Sequence, residues 1–333
     1  MGKKTGKQTY QIANPPMIIS TGTVAGPFEG LGPLAQDFDE ILTDARNEQS
    51  SFEKAERSIL IKACRLALDH ASFSSTEVDL FLAGDLLNQT ISSNFSAISL
   101  GIPFIGLYGA CSTAALGLGL GTLILDGGFA GSVLTATSSH NSAAERQYRY
   151  PTEYGGQRRS YQQWTVTGAG AALLGYTGEG PRVTAVTFGK VMDLGSTDPL
   201  NMGAAMAPAA ADTIVRHFQD TGWDPNSFDL IVTGDLGKVG LDLCRQELSE
   251  QGITLGDNFN DCGVMIYDLS KQDVHAGGSG CAASALVTYG PLYRKRKEIH
   301  RLLLIGTGAL HSPTSYMQGE NIPCIAHAVR IEV

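Results

Sequence analysis

Short apolar runs alternate with amphipathic stretches along most of this chain. Residues 17–24 (MIISTGTV) predict a strand, followed by a Gly/Pro-rich loop at 26–33. Over 52–70, Ile59, Leu60, Ala63 and 66–68 recur at helical spacing and predict an amphipathic helix. Residues 78–83 (VDLFLA) predict a short buried strand ending in Gly84-Asp85-Leu86. A further apolar run, 102–108, opens onto a helical stretch at 116–126, and strands are expected at 132–136, 166–176 and 183–188. The helix at 116–126 carries glycines 117, 119 and 121. Each costs up to about 1 kcal/mol against alanine, so the three predict that another backbone packs tightly there.

The same plan then recurs. Val78-Asp79-Leu80-Phe81-Leu82-Ala83-Gly84-Asp85-Leu86 returns as Phe228-Asp229-Leu230-Ile231-Val232-Thr233-Gly234-Asp235-Leu236, with Asp79 and Asp229 offset by 150. The helices before these strands obey the same offset. Gly277-Gly278-Ser279-Gly280-Cys281-Ala282-Ala283-Ser284 answers the stretch 109–115, and 302–311 (LLLIGTGALH) answers 132–140. Several matches in one order indicate an internal duplication. Alternating β and α in each half predicts an α/β fold with mostly parallel sheet covered by helices. The expected organisation is a flexible leader at 1–16, one half at 17–178 and a second at 179–333. Two βαβαβ halves related by a pseudo-twofold axis would place the helices at 111 and 281 side by side, and a ligand at their midpoint.

Charge and cysteine usage narrow the functional classes. A formal net charge of −9 argues against general nucleic-acid binding. Cysteines 64, 111, 244, 262, 281 and 324 are dispersed, with no zinc spacing, which suits a reducing compartment. Residues 1–10 are polar and basic without an apolar signal region, and no apolar run is long enough to span a bilayer. No metal-site spacing is present either.

The chemistry centres on Gly109-Ala110-Cys111-Ser112-Thr113-Ala114-Ala115. A cysteine at a helix start meets unpaired N–H groups and the helix dipole, which favour a thiolate or a nearby anion. A buried structural cysteine suits the same pattern. His140 and His311 close the paired strands of the two halves, where each either faces the midpoint or bonds to backbone; a pocket role is expected for His140. Asp85 and Asp235 read as turn-formers or helix caps. The run Arg294-Lys295-Arg296-Lys297 reads as a solvated helix end, with anionic lipid or a membrane subunit as the other reading.

Two such halves, with a G-A-C-S helix start in one and G-G-S-G-C-A-A-S in the other, resemble the thiolase superfamily, which includes the ketoacyl-acyl-carrier-protein synthases. The resemblance implies a five-layered α-β-α-β-α core. More narrowly, Ala83-Gly84-Asp85-Leu86-Leu87-Asn88-Gln89, Ser138-Ser139-His140-Asn141, Arg149-Tyr150-Pro151-Thr152-Glu153-Tyr154-Gly155, Trp164-Thr165-Val166-Thr167-Gly168, Met206-Ala207-Pro208-Ala209-Ala210 and His275-Ala276-Gly277-Gly278-Ser279-Gly280 are similar to the stage V sporulation protein AD family of spore-forming Bacillus relatives. That similarity implies a non-enzymatic protein that binds dipicolinic acid (pyridine-2,6-dicarboxylate), free or as its calcium chelate, with no cofactor. It implies a homodimer within a spore membrane complex that takes up dipicolinate in sporulation and releases it in germination. The implied location is peripheral, on the inner spore membrane. The ligand-binding residues it suggests are Cys111, Ser139, His140, Asn141, Arg149, Trp164, His275 and Ser279. Arginines 146, 149, 158 and 159, among tyrosines and Trp164, suit a planar aromatic dianion; a dimer-interface loop is the other reading of that insertion.

The alternative is a condensing or acyl-transfer enzyme that uses Cys111. Condensing enzymes of the synthase III type place a histidine after the strand matching 229–232, where this chain has Gly234. A positioned acid–base group contributes about 10²–10⁴-fold, so its loss predicts very slow condensation unless His275 or His140 substitutes.

Overall fold

The apolar runs form the inner strands of one continuous sheet with two matching halves. The computed structural model describes residues 2–148 and 158–333. The first half contains β1 (Lys3–Thr5), β2 (Thr9–Gln11), β3 (Met17–Ala25), β4 (Glu40–Ile41), α1 (Phe52–His70), β5 (Leu80–Asp85) and α2 (Ile91–Leu100). It continues with β6 (Phe104–Gly106), α3 (Thr113–Asp126), β7 (Ser132–Ser139), α4 (Asn141–Tyr148), β8 (Trp164–Thr165) and β9 (Gly168–Gly175). The second half runs β10 (Arg182–Phe188), α5 (Met202–Thr221), β11 (Leu230–Thr233), α6 (Gly237–Glu250), β12 (Phe259–Asp261) and α7 (Cys262–Met265). It ends with β13 (Gly278–Ser279), α8 (Cys281–Val287), β14 (Arg301–Ala309), α9 (Pro313–Met317) and β15 (Cys324–Glu332).

Strand order is β6-β5-β7-β9-β3 in one half and β12-β11-β14-β15-β10 in the other, so each strand has its counterpart. The halves join where β3 meets β10, Met17 opposite Arg182. The sheet is mixed rather than mostly parallel. β5 runs parallel to β6 and β7, and β11 to β12 and β14, but β9 and β15 run antiparallel to both their neighbours in the order above. Parallel neighbours need a crossover across the sheet face. β7 reaches β9 through α4 and β8, and β14 reaches β15 through the short α9, so neither connection crosses over.

α1 and α2 cover the outer face of the first half, and α5 and α6 that of the second; α3 and α8 fill the space between. The layers are α-β-α-β-α. Ser51 caps α1 by accepting from the Lys54 N–H, and Ile59, Leu60, Ala63 and Cys64 are fully buried beneath it. The glycines of α3 meet side chains rather than another backbone. A Cβ at Gly117 would strike Thr135 of β7, one at Gly119 would strike Val186 of β10, and one at Gly121 would crowd Val133 and Leu174. The helix is squeezed between the two halves of the sheet, which explains its small residues.

The described part of the expected leader, residues 2–16, is tied down. β2 pairs with β10, and the Asp220 carboxylate near the end of α5 accepts from the backbone N–H groups of Lys7, Gln8 and Thr9. The Thr9 hydroxyl also reaches the Thr187 hydroxyl at 2.8 Å, and that hydroxyl meets His217 Nδ1 at 2.8 Å.

Candidate functional site

The turn before α3 sets the site. Ala110 sits at φ +48°, the left-handed region that side chains disfavour. Its carbonyl accepts from the Thr113 N–H at 3.2 Å, the Thr113 hydroxyl at 2.7 Å and the Cys281 thiol at 3.2 Å. These bonds hold the bend and aim Cys111 into a hollow. Gly306 and Gly308 of β14 let the start of α3 approach: a Cβ at Gly308 would strike the Gly109 carbonyl, and one at Gly306 would lie 2.6 Å from Ala115 Cβ.

Ser279 and Thr165 line the hollow beside Cys111. Tyr108, Tyr148 and His311 line both it and an adjoining outer funnel, so these three rings form the neck between them. The two tyrosine hydroxyls lie 3.5 Å apart, and that of Tyr148 donates to the Leu86 carbonyl. The His311 ring packs between Tyr148 and Tyr316, with centroids 5.7 and 5.5 Å away. Among the described residues, no lysine or arginine lines the hollow.

Behind Cys111 stands Asp235, fully buried. Its carboxylate accepts from the Thr307 hydroxyl at 2.7 Å and the Gly280 N–H at 2.8 Å, and burial pushes its acid up to about 7 despite these bonds. Burial pushes the Cys111 thiol well above its ordinary range, and Asp235 and Cys281 add to the effect. The helix-start expectation of a thiolate does not hold: burial, which disfavours a charged sulfur, outweighs the helix end's roughly half charge.

Of the expected ligand residues, the structure brings Cys111 and Ser279 to the hollow. His140 is fully buried away from it, with Nε2 2.7 Å from the Ala45 carbonyl and its ring 5.2 Å from that of Phe52. Burial lowers its pKa. It bonds to backbone, so the pocket role expected for it does not hold. Ser139 donates to the Val166 carbonyl at 2.7 Å and accepts from the Ala282 N–H at 3.2 Å, stitching β7 to its neighbours. Asn141 begins α4, its N–H donating to the Thr167 hydroxyl. Trp164 packs against Phe28 with the Arg158 guanidinium 4.8 Å from its ring centre. His275, at φ +50°, lies 3.4 Å from Asp273 on the surface side of the loop. None of these five lines the hollow. Arg149 lies outside the described residues. Arg146 pairs with Glu53 and Arg158 with Asp273, so both guanidinium groups already face carboxylates.

The two repeated aspartates diverge. Asp85 does act locally, accepting from Leu87 N–H and from the N–H and hydroxyl of Ser93. Asp235 does not cap α6; Asp261 takes that place, accepting from Leu236 N–H at 2.8 Å and Gly237 N–H at 3.0 Å. Tyr108 is a site residue that the sequence does not single out, whereas Tyr148 belongs to the arginine- and tyrosine-rich insertion expected to meet the ligand. Of the basic run, Arg294 pairs with Asp39 at 2.8 Å and Arg296 folds over Tyr293. Among the described residues, no helix is long and apolar enough to cross a membrane.

A doubled, five-layered sheet with a cysteine at the start of a central helix defines a thiolase-like protein. Solved structures of the same fold include 3-oxoacyl-[acyl-carrier-protein] synthase III from Aquifex aeolicus VF5, with a TM-score of 0.60 and 13% identity over 96% of this chain and 100% of that one. OleA of Xanthomonas campestris is similar at a TM-score of 0.61 and 14% identity, covering 99% of this chain and 100% of that one. Identities this low speak for the fold alone. The family model for stage V sporulation protein AD matches residues 6–332. Stage V sporulation protein AD of Bacillus subtilis (strain 168) is 47% identical over 332 residues, 99% of this chain and 98% of its own length. The chain belongs to the stage V sporulation protein AD family.

Proposed function

We propose that this protein is a non-catalytic binding protein of sporulation whose hollow at Cys111 takes dipicolinate. The observation that carries the reading is the aromatic neck, where Tyr108, Tyr148 and His311 stand over the hollow that Cys111 lines. At Gly234 a Cβ would already lie 3.1 Å from the Thr307 N–H and 3.2 Å from its hydroxyl, so a larger side chain there is crowded. The neck supplies what a planar aromatic diacid needs: two phenol rings to pack on the pyridine, and Tyr108, Ser279 and His311 as partners for its carboxylates. Without a cation among the described lining residues, the calcium chelate, which carries no net charge, suits the hollow as well as the free acid.

The protein acts as a homodimer bound peripherally to membrane subunits of a sporulation complex, in dipicolinate uptake and in its release at germination. Dimerisation is supported by exposed Ile91, Phe95 and Ile98 on α2 and Ile105 on the edge strand β6. These form one apolar face beside an unpaired strand edge.

A second reading, acyl transfer through Cys111, is favoured by one observation: His311 shares the hollow with the sulfur. Intact-protein mass spectrometry after incubation with acyl-coenzyme A separates the two. The binding reading expects unmodified protein; an acyl adduct on Cys111 that a second substrate removes would overturn it.

A further inference from the structure

The end of the molecule opposite the hollow gathers cations from three distant stretches of chain. α3 rises about 20 Å from the turn at Cys111 to Asp126, which marks that far end. The Asp126 carboxylate accepts from the N–H groups of Gly2 and Asn14, so Lys3, next in the chain to Gly2, lies beside it. The Arg182 guanidinium donates to the Pro15 carbonyl at 2.8 Å, and the Ile18 N–H donates to the Pro181 carbonyl at 2.8 Å. Arg296 shares a small apolar pocket with Ile18 and Pro181, and the Tyr293 hydroxyl donates to the Ile19 carbonyl at 2.9 Å. These contacts run without a break from Lys3 through Arg182 to the turn that carries Lys295, Arg296 and Lys297.

Phe129 projects from the same end. It sits in the turn at 127–131 directly after Asp126 and is 84% exposed. The turn is fixed, because the Phe129 N–H donates to the Ile124 carbonyl at 3.1 Å and a Cβ at Gly127 would lie 2.8 Å from the ring. Several acids here are spent on backbone. Asp79 accepts from the N–H groups of Gly131 and Ser132, and Asp229 from those of His300 and Arg301. Glu179 and Glu298 stay exposed among the cations. Among the described residues, no carboxylate pairs with Lys3, Arg182, Lys295 or Lys297. In a chain of net charge −9, this end carries a local excess of positive charge.

We propose that this end docks on an anionic lipid surface, with Phe129 entering the headgroup layer and Lys3, Arg182, Lys295 and Lys297 over its phosphates. A ring held out into water gains from a medium that yields to it, as the boundary of headgroups and acyl chains does. The cations follow a line of contacts instead of converging on one pocket, which matches a field of many phosphates better than a single bound anion. Docked in this way, the neck formed by Tyr108, Tyr148 and His311 faces away from the bilayer. The inference rests on the peripheral membrane location proposed above, and adds lipid itself as a partner.

The test sediments the full chain with vesicles of phosphatidylcholine alone, or of an equimolar mixture with phosphatidylglycerol, at low and high salt. Wild type is expected on the mixed vesicles at low salt, to leave them at high salt, and to ignore phosphatidylcholine. Each cation near an anionic surface is worth roughly fivefold, so Lys295→Glu with Lys297→Glu should weaken binding by roughly twentyfold. Phe129→Ser should weaken it by about tenfold through lost apolar burial. Lys54→Glu with Arg65→Glu, at exposed positions of α1, changes the net charge equally and should leave binding largely intact. A loss from the α1 pair as large as that from Lys295 and Lys297 would overturn the proposal, as would binding to neither vesicle or equal binding to both. A wild type that ignores lipid yet takes up dipicolinate removes this inference and leaves the hollow's reading in place. Vesicle binding beside a flat dipicolinate titration does the reverse.

Discussion

Tyr108 and Tyr148 bring their hydroxyls to 3.5 Å of each other across the neck of the hollow. One comes from the loop ahead of α3 and the other from the last position of α4, so the neck is made where two distant stretches meet. Aromatic packing contributes about 0.5–1.5 kcal/mol beyond simple area burial. Tyr108→Ala and Tyr148→Ala should each weaken dipicolinate binding by roughly tenfold, through loss of that packing and of contact area. The corresponding Tyr→Phe variants should stay within about threefold, because ring packing is kept. Isothermal titration calorimetry on the four variants checks this; equal losses for alanine and phenylalanine would assign the effect to the hydroxyls.

Gly308 lies where β14 passes under the start of α3, and a Cβ there would strike the Gly109 carbonyl. Backbone cannot rotate aside as a side chain can. Gly308→Ala is expected to destabilise the protein by about 1–3 kcal/mol and to displace the turn that presents Cys111. Urea denaturation measures the first effect, and loss of dipicolinate affinity the second. An unchanged midpoint would show that β14 and α3 are less closely packed than described.

Glu29 gives a pH signature. It is fully buried, accepts from the Thr167 N–H at 3.0 Å and from the Tyr267 hydroxyl, and burial raises its pKa from 4.5 to about 7. The folded state therefore keeps a proton that the unfolded chain releases. That contribution is fully present below about pH 4.5, is lost as pH rises through about 7, and changes no further above it. Glu29→Gln cannot ionise. Its stability relative to wild type should rise by up to roughly 3 kcal/mol between pH 4.5 and 7.5, read from denaturation midpoints at each pH. Other buried acids shift with the same sign, and the difference between the two proteins isolates Glu29. A constant difference across this range would place Glu29 in contact with water.

The α2–β6 face should behave as a subunit seam. Phe95 is 45% and Ile98 75% exposed on one side of α2. Wild type is expected to run as a dimer in light scattering, and Phe95→Asp with Ile98→Asp as a folded monomer. A dimer that survives both substitutions would move the seam elsewhere.

Much of the architecture was legible because the duplication preserved its markers. The strand around Asp79 and its copy around Asp229 align, and the two glycine-rich helix starts carry Cys111 and Ser279 into the same hollow. What stayed hidden depends on contacts across long stretches of chain. Asp85 and Asp235 share a local sequence, yet only Asp235 meets Thr307 and Gly280. A strand end does not reveal which way its histidine turns, and His140 turns to the Ala45 carbonyl, 95 residues earlier. The N-terminal segment gave no sign of order because its anchor, Asp220, lies 211 residues from Thr9. The antiparallel strands β9 and β15 escaped for a different reason: alternating β and α does not tell whether a connection crosses the sheet.

The most direct test is a calorimetric titration of the purified protein with dipicolinate, with and without equimolar calcium, beside Tyr148→Ala. Saturable binding at one site per chain, weakened about tenfold in the variant as aromatic packing requires, is the predicted result. A flat wild-type titration in both conditions, or binding that the variant leaves untouched, would contradict it.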